Sequence, residues 1–340
     1  MPALVKPQLY SSATSGRNIG PSGRIWPNGE FGLCYCEDPG VEEIFAERWE
    51  DSKEARALDL SKLVNSHRAS RGTSGLTGYG GKMVRNSAFL LEEKYKGRLS
   101  FLTLTLPGVD QESLKGYARD WSRIVKVFFQ KLSRVLEAEG LPTEYVAVTE
   151  VQGSRLKDRG EFALHLHCVF VGRKPGRHWA LTPGQIRWMW ASVLGGTMCQ
   201  ICDHISECYC GALENLQPVR KSASGYLGKY ITKGRQDVAM YCNSVPEECI
   251  PSSWYSIKSS LKRKVKRRTS SNPKIMKILD SVIRTGSEAP FAFIRPIELK
   301  DEKGHVTIIG WYGKLSAGFH AEIEQMRQCI LQYGEDIRLQ

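Results

Sequence analysis

The chain has 340 residues, of which 41% are hydrophobic and 25% charged, and it carries a formal net charge of +12. That is the composition of an ordinary globular protein with room for one large domain or two modest ones. No stretch approaches the roughly 20 apolar residues that a bilayer span needs, and the N-terminus lacks the apolar core of a secretory signal, so the expectation is a soluble, cytoplasmic chain with no membrane partner.

The basic balance suits a polyanionic partner, nucleic acid first, with a basic surface of no special purpose as the alternative. Ten cysteines in an intracellular chain are expected as thiols or metal ligands rather than disulfides.

Residues 1 to about 30 are rich in Gly, Ser, Pro and Asn and show no period, which predicts an arm without regular structure. Cys34 and Cys36 follow in a short apolar patch, and 41–68 reads as helix. Residues 69–82 form a Gly/Ser/Arg stretch, either a domain boundary or a DNA-contacting loop. Arg98 to Leu106 alternates, with Leu102, Leu104 and Leu106 on one face and Phe101, Thr103 and Thr105 on the other: a strand closed by Pro107-Gly108. Residues 111–139 carry apolar side chains at helical spacing and predict one long helix stopped by Gly140 and Pro142. Tyr145–Val151 and Phe162–Val171 read as a second and third strand, joined through a basic loop at 154–160. Pro183 opens a helix that ends at Gly195-Gly196. A short strand at 214–219 and a helix from about 221 to 234 follow.

This order predicts an α+β fold, an antiparallel central sheet with packed helices plus a small cysteine-rich insertion. The expected division is an N-terminal arm and helical segment over 1–82, an organised domain over 83–240 with the insertion at 197–212, and a basic C-terminal region over 241–340.

Two motifs carry chemistry. His165-Leu166-His167 lies inside the third strand, and residues one apart on a strand point the same way. Glu150 and Gln152 share a face of the preceding strand, so hairpin pairing brings Glu150 beside the histidines. Two imidazoles and a carboxylate leave coordination positions open, and a divalent ion there (Mg²⁺, Mn²⁺ or Zn²⁺) can polarise a phosphate. A hydrogen-bonded core histidine is the competing reading. The second motif is Tyr226-Leu-Gly-Lys229-Tyr230-Ile-Thr-Lys233. On a helix, residues 226, 229, 230 and 233 form one stripe, while Leu227 and Ile231 anchor it. A phenol with its usual pKa near 10 is a weak nucleophile and needs a polarised phosphate or a nearby cation. Lys229 and Lys233 supply that cation, and Gly225 and Gly228 keep bulk away from an approaching backbone. A solvated face of snorkelling Tyr and Lys is the alternative.

Phe101-Leu-Thr-Leu-Thr105, His165-Leu166-His167 and the Tyr226–Lys233 stretch, in that order, resemble the three motifs of the HUH endonuclease superfamily. The likeness covers roughly residues 98–235. The pair of tyrosines after the histidines resembles two-tyrosine rolling-circle initiators, the gene A-type replication endonucleases of small single-stranded DNA phages and related plasmid Rep proteins. The resemblance implies a metal-dependent, site-specific endonuclease and strand transferase, working with Mg or Mn in a bacterial or phage-infected cytoplasm. It implies that Tyr226 and Tyr230 alternate as nucleophiles on single-stranded or supercoiled origin DNA, each becoming joined to a 5′ phosphate. His165, His167 and Glu150 would hold the metal, with Gln152 the second choice for the third ligand. A two-tyrosine transposase and a non-catalytic DNA-binding regulator are the alternatives.

Cys199, Cys202, Cys208 and Cys210, with His204 in reserve, have the spacing of a compact structural zinc site or of free thiols in a loop. Lys258 to Arg268 holds no acidic residue, and Lys262, Arg263, Lys264, Lys266, Arg267 and Arg268 suit phosphate contact. Phe291–Ile297 and Val306–Tyr312 read as strands of a hairpin, followed by a helix at about 319–332. No Walker-type phosphate loop is present, so unwinding would need a separate host helicase, and copying a host polymerase.

Overall fold

The computed structural model describes residues 21–35, 76, 78–106, 110–195, 216–233, 235–300 and 306–333. It is an α+β protein with two antiparallel sheets, and its contacts divide it into two units. One is Ser70–Lys264; the other joins the two chain ends, Met1–Ala69 with Val265–Gln340.

The first hairpin, β1 (Ser22–Ile25) and β2 (Glu30–Cys34), lies partly where an irregular arm was expected. Four residues are too few to display a period, so the strand was invisible in the sequence. A Cβ on Gly23 would overlap the Gly32 carbonyl oxygen, so this close pairing requires glycine. Cys34 is disulfide-bonded, a correction to the expectation of thiols. Among the described residues Cys168, Cys242, Cys249 and Cys329 are free. The helix expected over 41–68 lies outside the described residues.

Helix α1 (Gly78–Tyr95) begins inside the stretch read as a linker. Its opening glycines each cost about 1 kcal/mol of helix propensity. Burial of Met83, Val84, Ala88 and Leu91 offsets that cost. β3 (Leu99–Thr105) follows. The single helix expected over 111–139 is two, α2 (Gln111–Arg119) and α3 (Trp121–Ala138), because Asp120 ends one and opens the other at φ −88°, ψ 3°. The apolar period runs through the break because Leu114 and Ala118 are buried, as are Trp121, Phe128 and Leu132. β4 (Tyr145–Val151) leads not into a loop but into a short helix, α4 (Gly153–Arg159), which buries Leu156 and ends at Gly160 with φ 65°. Next come β5 (Leu164–Val171), α5 (Pro183–Val193), β6 (Gln217–Pro218), α6 (Ala223–Lys233), α7 (Arg235–Ser244) and β7 (Tyr255–Ile257).

The larger sheet has the order β6-β3-β5-β4-β7. Alternation along β4 puts helices on both faces. On one face Tyr145 stacks on Phe129 of α3 at 3.6 Å, and the Trp121 indole donates to Thr149 Oγ1 at 2.9 Å. The other face carries Val146, Val148 and Glu150 and packs against α1 and α6. Because β7 extends this sheet, the larger unit runs past residue 240.

The chain continues through α8 (Ser259–Arg268), α9 (Pro273–Arg284), β8 (Phe291–Lys300), β9 (Val306–Leu315) and α10 (Ala317–Tyr333). The expected C-terminal hairpin is β8 against β9, its turn outside the described residues. It adds to β1 and β2 in the order β1-β2-β9-β8. Ile25, Phe31, Leu33, Met276, Leu279, Trp311 and Ile323 form the core of this smaller unit. Strands far apart in sequence, Ser22–Cys34 and Phe291–Leu315, therefore share one sheet. No helix among the described residues is long and apolar enough to cross a membrane.

Candidate metal centre and tyrosine helix

The centre is built by strand register. β4 and β5 pair with Glu150 opposite His165, and β3 and β5 pair with Thr103 opposite His167 and Thr105 opposite His165. Side chains that alternate across a strand then place Glu150, His165, His167 and Thr103 on one sheet face. The ligand atoms of Glu150, His165 and His167 all lie within 4.8 Å of one another. The α4 insertion between β4 and β5 leaves this register intact. Gln152 lies beyond the end of β4, where its Oε1 accepts from Arg155 Nη1 at 3.0 Å.

The donor set fits a divalent cation. His167 is 3% exposed; its Nε2 meets Glu150 Oε2 at 2.6 Å and its Nδ1 meets Thr103 Oγ1 at 3.0 Å. A hydroxyl on one ring nitrogen fixes the ring and leaves the other nitrogen for a ligand role. His165 Nε2 is buried with no hydrogen-bond partner among the described residues. Such a group is costly to bury without a partner, and a bound cation would satisfy it. Burial, followed by the charges of His167 and Arg155, brings the His165 pKa down to about 3. The imidazole is therefore neutral at pH 7, the form in which histidine binds metals.

Arg155 braces the rim. It pairs with Glu161 and donates from Nη1 to the Leu106 carbonyl at 3.1 Å. The brace ties α4 to the end of β3. Sequence reading missed this residue inside what looked like a loop.

Helix α6 lies on the same sheet face as the donors. Leu227 and Ile231 are buried and anchor it, while Lys229 is exposed. The Tyr230 ring stacks on the His167 ring, centroids 3.5 Å apart at 17°. Tyr226 lies 5.0 Å from the Phe101 ring, and Lys229 Nζ stands 5.7 Å from the Tyr226 centroid. Burial, then the Glu150 carboxylate and Tyr226, hold the Tyr230 phenol above its ordinary pKa. Gly228 faces open space, whereas a Cβ on Gly225 would make an ordinary contact with Ser222. The backbone of Lys233 closes the helix, and its side chain lies outside the described residues.

The start of α6 is held by α1. Glu92 Oε2 accepts from the Ala223 backbone N–H at 3.0 Å and from Ser222 Oγ at 3.3 Å. A carboxylate there satisfies an orphan N–H and opposes the positive end of the helix dipole. A Cβ on Gly81 of α1 would sit 3.2 Å from Ile231 Cγ2, so the two helices pack closely at that point. Glu92 left no sequence signal, because its partner is some 130 residues away.

The other expected sites fare differently. Cys199, Cys202, Cys208 and Cys210 lie outside the described residues. The basic run forms α8, with Leu261 and Val265 buried and Arg263, Lys264, Lys266 and Arg267 exposed. Lys262, Arg263 and Lys264 fall in the larger unit, and Lys266, Arg267 and Arg268 in the smaller. Lys264 pairs with Glu144 at 3.1 Å, and Lys262 Nζ stands 5.8 Å from the Tyr255 ring. No protein-family model matches this chain, and no curated protein or solved structure matches it either.

Proposed function

We propose that this chain is an HUH-type endonuclease and strand transferase that nicks single-stranded DNA at an origin and starts rolling-circle replication of a phage or plasmid. The carrying observation is the stack of Tyr230 on His167, which places the two-tyrosine helix on the face that holds Glu150, His165 and His167. A divalent ion (Mg²⁺ or Mn²⁺) held by those three residues would polarise the scissile phosphate and neutralise charge developing on it.

The protein's own groups do the rest. A tyrosine Oη forms a bond to phosphorus, the bond from phosphorus to the 3′ oxygen breaks, and the freed oxygen takes up a proton as a 3′ hydroxyl. The phenol proton passes to solvent, and Lys229 stabilises the phenolate as it forms. The protein is left joined to the 5′ phosphate, and the 3′ hydroxyl can prime a polymerase. The second tyrosine allows a second cleavage while the first end is still held. With no Walker-type loop in the sequence, unwinding falls to a host helicase.

Incubation with labelled circular single-stranded DNA libraries and Mn²⁺ or Mg²⁺, resolved on denaturing gels, tests the proposal. The expected product carries protein on its 5′ end and disappears in Tyr226→Phe/Tyr230→Phe and in His165→Ala. Tight binding without an adduct, under either metal and across the library, would instead favour a non-catalytic DNA-binding protein.

A further inference from the structure

The larger unit has a second feature that the tyrosine helix does not use. From Phe162 to Cys202 the sequence holds no Asp or Glu. The stretch carries Arg173, Lys174, Arg177 and Arg187, and three of the chain's eight tryptophans. Trp26, Trp121, Trp190, Trp254 and Trp311 are at most 7% exposed, whereas Trp179 is 42% and Trp188 49% exposed. The two exposed indoles among the described residues therefore both fall in the acid-free stretch. Each also carries a cation. The Arg173 guanidinium carbon is 5.3 Å from the Trp179 centroid, and Lys131 Nζ is 5.3 Å from that of Trp188.

Both rings are held outward by built structure. Past the end of β5, Arg173 and Trp179 pair across an antiparallel bridge, and the Lys174 N–H donates to the His178 carbonyl at 2.8 Å. Gly176, at φ 80°, turns the chain between them, which a side chain would resist. Trp188 is fixed by its neighbour: the Trp190 indole is buried and donates to the Thr105 carbonyl at 2.9 Å. Two helical residues differ by about 200° in direction, so anchoring Trp190 inward drives Trp188 outward.

Both platforms are tied to α3. Lys131 also donates to Ser192 Oγ at 2.9 Å, and Lys174 is neutralised by Glu139 at 2.6 Å. Lys131 and Glu139 lie about 12 Å apart along α3, so the rings mark two points along one helical layer. That layer covers the sheet face opposite the Glu150–His165–His167 group.

An exposed indole with a cation beside it fits a nucleic-acid base and its phosphate. Every base has a face that stacks, and the cation serves the backbone without reading sequence. We propose that Trp179 and Trp188, with Arg173 and Lys131, form a second contact surface for single-stranded DNA, which stacks bases without sequence preference. The inference rests on the DNA reading above and extends it, giving the strand a hold remote from the site of cleavage. An acidic protein segment is the competing occupant, and two exposed indoles, each beside a cation, favour stacking bases over carboxylate side chains.

The test uses the full chain carrying Tyr226→Phe/Tyr230→Phe, which stops turnover, and a short fluorescein-labelled oligothymidylate. Trp179→Ala/Trp188→Ala is expected to weaken binding about 30-fold, each single change about 5-fold, and the phenylalanine replacements to restore most of it. Quenching of tryptophan fluorescence by the oligonucleotide should vanish with the pair. Melting and circular dichroism identify variants that keep the fold. Unchanged affinity in a folded double variant overturns the inference, as does equal loss in the alanine and phenylalanine variants, which would point to structure rather than stacking. Adducts formed by the unmodified chain, together with no effect of the tryptophan changes, would sink this surface alone. No DNA binding by the parent chain would sink both readings.

Discussion

His165 shows how one residue can be costly alone and useful with a ligand. Burial, then His167 and Arg155, bring its pKa down to about 3, whereas an unfolded histidine titrates near 6.5. Between those values the unfolded chain binds a proton that the folded chain does not. Stability in chelator is therefore complete above about pH 6.5 and falls as the pH descends toward about 3, by up to about 1.4 kcal/mol per pH unit. Urea unfolding at stepped pH should show that slope in the parent and a flatter one in His165→Gln; equal slopes would refute it. Thr103 acts one bond further out. Thr103→Val removes the hydroxyl that fixes His167 Nδ1, leaving the ring held by Glu150 and the Tyr230 stack. Calorimetric titration with Mn²⁺ should then give a Kd about 10- to 100-fold weaker with little loss of fold. An unchanged Kd would mean that the pocket holds the ring without the hydroxyl.

At the scale of elements, the tyrosine helix depends on α1. Glu92→Ala leaves the Ala223 N–H without its acceptor and removes a charge from the helix start. The expected cost is about 1 kcal/mol, read as a lower melting temperature, with exchange of the α6 amides rising more than that of the α3 amides. Uniform exchange across both helices would show that the cap does not act locally. The same elements mark what the sequence could display. β3 was legible from its alternation and β4 and β5 from apolar, β-branched runs of seven and eight residues, and Glu150 could be set beside the histidines once those two runs were read as a hairpin. The stop at Asp120 was not legible, because the buried apolar positions run through it. Helix α1 was hidden by opening glycines that read as a linker, and only packing against α6 explains them. β1 was too short to carry a signal, and its place depends on β2 and β9, the latter nearly 300 residues away. The roles of Thr103, Glu92 and Arg155 come from register and tertiary contact, which no local pattern records.

At the scale of the whole molecule, the chain enters one unit, builds another, and returns. The smaller sheet closes only when β2 pairs with β9, so its stability depends on contact between strands about 280 residues apart. That pairing is narrow at Gly310. A Cβ on Gly310 would overlap the Leu33 carbonyl oxygen, and because this is backbone no side-chain rotation relieves it. Gly310→Ala should therefore destabilise the smaller unit by about 2–3 kcal/mol. The donors Glu150, His165 and His167 belong to the larger unit, so a bound ion stabilises that unit instead, by about 2.7 kcal/mol at a ~100-fold excess over Kd. Scanning calorimetry with and without Mn²⁺ separates the two effects. If the units unfold separately, Mn²⁺ raises one transition, Gly310→Ala lowers the other, and the Mn²⁺ affinity of the variant stays within about twofold of the parent. A single transition that both changes move, or an affinity that falls with Gly310→Ala, would mean that the β2–β9 pairing is needed to hold the metal-donor face in register.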